Sequence, residues 1–89
     1  MRITAEISLY PLKQDFVIEI KEFITALRAI DPTLEIVTNQ MSTQLRGEFD
    51  AVTGAISRCM RDTMAGDGTS VFVIKYLSAD LDIGNLPKI

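Results

Sequence analysis

With 89 residues, 47% hydrophobic and 24% charged, this chain has the composition of a folded protein and not of a disordered one. Its formal net charge of -3 leaves no basic stripe for a nucleic-acid partner. The absence of histidine excludes most zinc sites and every triad built on an imidazole base. The length accommodates one domain, residues 1–89, which buries only roughly two-thirds of its unfolded surface. Its apolar residues are many for one small core, so a second buried surface, between subunits, is expected. A lone Cys59 cannot close an internal disulfide and points to a reducing, cytoplasmic setting. The opening Met1-Arg2-Ile3-Thr4-Ala5-Glu6 has no long apolar run, so neither a leader nor a membrane span is predicted.

Residues 2–10 alternate. Ile3, Ala5, Ile7 and Leu9 take one face, and Arg2, Thr4, Glu6, Ser8 and Tyr10 the other, which is the period of a half-buried strand. Pro11 ends it, having no N–H to give to a ladder. From about 14 to 30 the period lengthens. Phe16, Ile20, Phe23, Ile24, Leu27 and Ile30 recur every three or four residues, the stripe of an amphipathic helix, with Asp15 as N-cap and Asp31-Pro32 as the stop.

Residues 34–38 and 42–47 read as two strands of an antiparallel hairpin, with Asn39 suited to a left-handed turn position. The register stays open, because Thr38 to Gln44 has almost no apolar alternation to pin it. Gly47 allows an unusual backbone at the exit. A second helix over about 50–64 follows, with Val52, Ala55, Ile56, Cys59 and Met60 on its apolar side and Thr63 continuing the stripe. Asp50 serves as N-cap, or Glu48 and Asp50 sit beside the first turn, where carboxylates suit the helix dipole.

Gly66-Asp67-Gly68 is a loop, and 70–77 is a strand with apolar groups on both faces. Val71, Val73 and Leu77 share one, and Phe72, Ile74 and Tyr76 share the other. The second set is expected on a helix-free face, buried against another subunit as a dimer or tetramer. The tail 78–89 is irregular and offers Leu81, Ile83, Leu86 and Ile89 for docking on a neighbour. The order strand, helix, strand, strand, helix, strand predicts an α+β, ferredoxin-like βαββαβ sandwich. Its four-stranded antiparallel sheet carries both helices on one face, with the first and third strands central.

Two segments carry the chemistry, Ser8 with Tyr10 and the run from Asn39 to Asp50. Both come together if strands one and three are neighbours. Amides and hydroxyls at Asn39, Ser42 and Thr43 either decorate a turn and a wet strand or read the polar edge of a ligand. Other motifs fall away. Cys59 lies on an apolar helix stripe, as core cysteines do. No CxxC is present, and the Gly66–Gly68 loop lacks the Lys-Ser/Thr of a phosphate loop. No aromatics stud strand 42–47 as an RNA-reading sheet requires.

Ile7-Ser8-Leu9-Tyr10-Pro11-Leu12, followed by Thr38-Asn39-Gln40-Met41-Ser42-Thr43-Gln44-Leu45-Arg46-Gly47-Glu48-Phe49-Asp50, resembles the YkoF-like family of thiamine- and hydroxymethylpyrimidine-binding proteins. The resemblance spans nearly the whole chain in element order, and the chain is similar to the single-domain members. It implies ferredoxin-like domains that associate through their sheets and bind the aminopyrimidine without catalysis, as a ligand and with no further cofactor. It implies a ligand site at Ser8, Tyr10, Asn39, Met41, Ser42, Thr43, Glu48 and Asp50. Tyr10 would stack on the ring, and Glu48 or Asp50 would hold the amine or face a thiazolium cation. Two other classes share the fold: an oligomeric small-ligand-sensing regulatory domain and a small cofactor-free enzyme. The first is normally fused to an effector. The second is the weaker match, for want of a buried acid–base pair.

Overall fold

Six elements follow one another in a computed structural model that describes all 89 residues. They are β1 (Arg2–Pro11), α1 (Phe16–Ile30), β2 (Glu35–Thr38), β3 (Thr43–Glu48), α2 (Phe49–Met64) and β4 (Ser70–Leu77). The strands form one antiparallel sheet in the order β2-β3-β1-β4, so the first and third strands are the central pair, as the sequence order predicts. The two helices pack on one face, which makes the chain a ferredoxin-like α+β sandwich.

Alternation in β1 becomes burial. Ile3, Ala5, Ile7 and Leu9 lie in one cluster with Phe23 and Leu27 of α1, Leu45 of β3, and Val52, Ala55, Ile56 and Cys59 of α2. Each large side chain taken from water there contributes about 1.5–3 kcal/mol. Burial pushes the Cys59 thiol above its ordinary pKa, which keeps it protonated and inert. Gly47 has no left-handed backbone. It is small because a Cβ there would stand 2.7 Å from Leu34 Cδ2.

The faces of β4 are the reverse of the expectation. Leu9, Ile7 and Ala5 lie directly opposite Phe72, Ile74 and Tyr76, and directly opposed residues of an antiparallel pair share a face. Phe72 and Ile74 therefore pack under the helices, where the Phe72 ring meets Phe23 at 5.3 Å between centroids and 56°. Tyr76 belongs to the same row and stays exposed at its end. The helix-free face carries Val71, Val73, Lys75 and Leu77 instead.

The tail also departs from its expected role. Instead of offering all its apolar residues to a neighbour, it clasps its own sheet. Thr4 Oγ1 donates to Ala79 O at 2.7 Å and accepts from Leu81 N at 2.9 Å. Arg46 Nη1 donates to Leu81 O at 2.7 Å, and Arg2 Nε pairs with Asp80 at 2.9 Å. This clasp leaves Thr4 only 3% exposed on a face otherwise open, whereas Leu86 and Ile89 project freely.

Helix ends follow the predicted boundaries with different chemistry. Asp15 stands at the N-cap position of α1, and Glu48, not Asp50, stands at that of α2. Neither makes a side-chain cap bond, and Asp50 sits in the first turn. After α1, the Asp31 carboxylate accepts from the Thr33 hydroxyl at 2.7 Å and from Thr33 N at 2.8 Å. Those bonds hold its pKa below the usual carboxylate value. No helix is long and apolar enough to cross a membrane.

Candidate functional site

A mismatch in strand length creates the main cleft. β1 pairs with β4 without a break from Thr4 to Pro11, but with β3 only as far as Ile7, opposite Thr43. Beyond that point β1 runs on while the neighbouring chain turns away through residues 39–42. Alternate residues of an antiparallel strand turn both backbone groups to the same side. Part of Ser8–Pro11 therefore presents its main-chain groups to the gap with no strand to meet them. The first half of α1 floors this notch with Phe16, Ile20, Phe23 and Ile24, and the resulting cleft holds about 470 Å³. That volume lies within the range of small-ligand pockets.

The hairpin forms the opposite wall. Asn39 Oδ1 accepts from Met41 N at 2.8 Å and Ser42 N at 3.0 Å, while Asn39 N donates to Ser42 O at 3.0 Å. A left-handed Asn39 is thus not what closes the turn. No residue other than glycine has positive φ, and the side-chain oxygen ties the loop instead. That oxygen is committed, and the Asn39 amide nitrogen remains available to the cleft.

Thr43 and Ser42 point to opposite sides of the sheet. Thr43, 4% exposed, lies on the helix side, and its hydroxyl shares a 3.1 Å hydrogen bond with that of Thr38. Ser42 Oγ donates at 2.9 Å to Glu6 Oε2 on the open side, and Ser8 Oγ donates at 3.4 Å to Met41 O. All six of these residues except Glu6 line the cleft, together with Asn39 and Tyr10. Tyr10 and Met41 stand exposed at its mouth beside Leu12 and Phe16, giving an apolar collar.

Glu48 and Asp50 are not part of this gathering. Five residue steps along extended β3 separate Thr43 from Glu48, about 17 Å at ~3.3 Å per residue. Glu48 instead pairs with the Met1 amino group at 3.2 Å, at the far end of the sheet. Their predicted convergence with Tyr10, Asn39, Ser42 and Thr43 fails because a strand stands between them. Of the walls, Phe16, Ile20, Phe23 and Ile24 read in the sequence only as the apolar stripe of α1, and Leu12 carries no site signal of its own. Phe16 was the available signal, sitting at the start of the α1 stripe, beyond the reach of α2.

The cleft is electrically neutral. No Asp, Glu, Lys or Arg lines it, and Tyr10 is its one titratable side chain. The charges lie elsewhere, in pairs such as Lys13–Glu19 at 2.9 Å at the start of α1. No group of three or more metal-ligating side chains comes together anywhere in the chain.

Fold and topology define a single ferredoxin-like domain with a neutral notch at one end of its sheet. The YKOF-related family model matches residues 2–80, and the chain belongs to that family. Similar solved structures share the fold at low identity. A Streptococcus pneumoniae protein superposes with a TM-score of 0.82 at 18% identity, covering 94% of each chain. A Thermotoga maritima protein provisionally assigned to thiamine biosynthesis or salvage gives 0.75 at 16% identity, over 98% of this chain and 90% of that one. A Bacillus cereus domain of unknown function, DUF77, gives 0.74 at 20%, over 93% and 84%. No curated protein matches the sequence.

Proposed function

We propose that this protein binds thiamine or its hydroxymethylpyrimidine part, without catalysis, in the cleft between β1, the hairpin and α1. The observation that carries the reading is the neutral, apolar-walled notch with hydroxyl, amide and main-chain groups along one rim. Family membership and the provisional thiamine assignment of the Thermotoga neighbour support it.

An aminopyrimidine presents an amine donor beside ring-nitrogen acceptors, and neutral groups complement both. Asn39 Nδ2 donates to a ring nitrogen. The Thr43 hydroxyl and the unpaired backbone of Ser8–Pro11 accept from the amine, in place of the carboxylate expected from Glu48 or Asp50. The ring lies against the Phe16 and Tyr10 faces, and a thiazolium cation remains at the mouth, over the Tyr10 ring. A cleft without an acid–base pair suits holding and delivery, in transport or salvage within the reducing cytoplasm.

Assembly belongs to the same reading. The open sheet face, with Tyr10, Val71, Val73 and Leu77 each more than a third exposed, is the surface through which the domain forms a homo-oligomer. Calorimetry with thiamine and with hydroxymethylpyrimidine tests the binding. Saturable heat from at least one is expected. Silence from both overturns the reading and favours the ligand-sensing regulatory class.

A further inference from the structure

We infer that Glu6, which lies outside the cleft, makes its rim select an amine over a carbonyl by fixing the direction of the Ser42 hydroxyl bond. The inference rests on the aminopyrimidine reading of the same cleft and adds to it the ring that the site rejects. Ser42 lines the cleft, and its Oγ donates to Glu6 Oε2 at 2.9 Å. Lys75 Nζ lies 3.5 Å from the other carboxylate oxygen. A hydroxyl has one proton and two lone pairs, whereas a carboxylate only accepts. The one Ser42 proton is therefore spent on Glu6, and what Ser42 offers the cleft is an acceptor. An amide in place of the carboxylate could donate as well as accept, and the hydroxyl would be free to turn.

Asn39 is fixed in the opposite sense. Its Oδ1 accepts from Met41 N at 2.8 Å and from Ser42 N at 3.0 Å, which leaves the donor Nδ2 to face a ligand. The Thr38–Thr43 pair differs from both. Either hydroxyl can be the donor there, so that pair adapts to whatever it meets. The rim thus carries one committed acceptor, Ser42, and one committed donor, Asn39, on the same short turn.

An aminopyrimidine presents an amine N–H beside a ring-nitrogen lone pair, and each meets its complement. The oxo form of the same ring presents a carbonyl oxygen beside a ring N–H. The oxygen then faces the Ser42 lone pairs and the N–H faces Asn39 Nδ2, so both contacts fail together and leave polar groups unpaired. The two rings are nearly equal in size, and the apolar walls at Phe16 and Ile20 cannot tell them apart. Discrimination falls to the hydrogen bonds, where mispairing costs more than misfit. Glu6 touches no ligand in this scheme. It is a positioning residue that acts through Ser42.

Calorimetry on the full chain with thiamine and with oxythiamine, its oxo analogue, tests this. Both carry the same thiazolium, so any attraction of that cation to Glu6 cancels in the ratio of affinities. The parent should prefer thiamine by about tenfold or more. Glu6→Gln keeps the shape and frees the Ser42 proton, and it should narrow the preference by strengthening oxythiamine. Ser42→Ala should narrow it the other way, by weakening thiamine and leaving oxythiamine unchanged. Equal binding of both ligands by the parent overturns the inference. So does a Glu6→Gln variant that weakens both ligands alike, which is what a purely structural tie to the hairpin would give. Thiamine binding with a ratio untouched by Glu6→Gln overturns this inference and leaves the proposed function standing. Silence of the parent toward both ligands overturns the two together.

Discussion

The two ends of the sheet solve the same problem in opposite ways. At one end, Arg2, Thr4, Arg46 and Glu48 meet the tail and the amino terminus, and nearly every polar group has a partner. Arg46 there pairs with Glu35 and lies 3.8 Å from Asp80, and the Glu35 bond raises its pKa further. At the other end, β1 outruns β3 and the chain leaves a notch floored by α1. One end is closed by charge, and the other is held open by shape and walled by neutral groups. The lesson is that binding capacity in a small sheet comes from where pairing stops, not from where polar residues are most crowded.

Substitutions can break that contrast, starting at the floor of the notch. Phe23 is buried between the cleft and the core and packs on Phe72. Phe23→Ala should lower unfolding stability by about 3–5 kcal/mol, read as a shift in the denaturant midpoint. An effect within error would mean the notch floor is not part of the folding core. Next, Thr43→Val keeps the shape and deletes one hydroxyl, leaving that of exposed Thr38 to water. We expect pyrimidine binding to weaken about tenfold, with a stability cost of about 0.5–1.5 kcal/mol for the one hydrogen bond lost. Ser57→Ala, on the exposed side of α2, should change neither. Equal affinity for Thr43→Val and parent would move the ligand off this wall.

At the closed end, Thr4→Val removes two of the hydrogen bonds that seat the tail and leaves those of Arg2 and Arg46. Limited proteolysis should then cut residues 79–89 sooner, while ligand affinity in calorimetry stays that of the parent. A drop in affinity would show the two ends to be coupled. The smallest effect concerns Asp31. Its carboxyl is more acidic in the folded chain than in the unfolded one, so it adds stability above the unfolded value of about 3.9 that is lost as pH falls through the folded pKa. Asp31→Asn should flatten the acid limb of the thermal midpoint below about pH 4 without altering the neutral plateau. An unchanged limb would assign acid sensitivity to other carboxylates.

Most of the fold was legible because burial leaves a period. The β1 alternation and most of the α2 stripe named core residues directly, whereas the α1 stripe overran the core: Phe23 and Leu27 are buried, but Phe16 and Ile30 stay exposed. β4 resisted because apolar side chains fill both its faces, and a strict period of two has no sign. Only its pairing with Leu9 and Ile7 decides which row goes under the helices. The site was half legible. Ser8, Tyr10, Asn39, Met41, Ser42 and Thr43 do surround one cleft, since they cluster about the ends of β1 and β3 that lie together. Glu48 and Asp50 were drawn in by nearness in sequence, and an extended strand converts a gap of five residues into most of the length of the sheet.

The overhang of β1 beyond Ile7 has a consequence for how such a site ages. A recognition surface made partly of main chain is indifferent to which side chains sit above it, provided the overhang keeps its length. Sequence drift can then rewrite the rim, and with it the choice among related heterocycles, while the backbone donors and acceptors stay where the strand puts them. On that account, a change of one or two residues in the length of the 39–42 turn would be felt more sharply than any single replacement along the mouth.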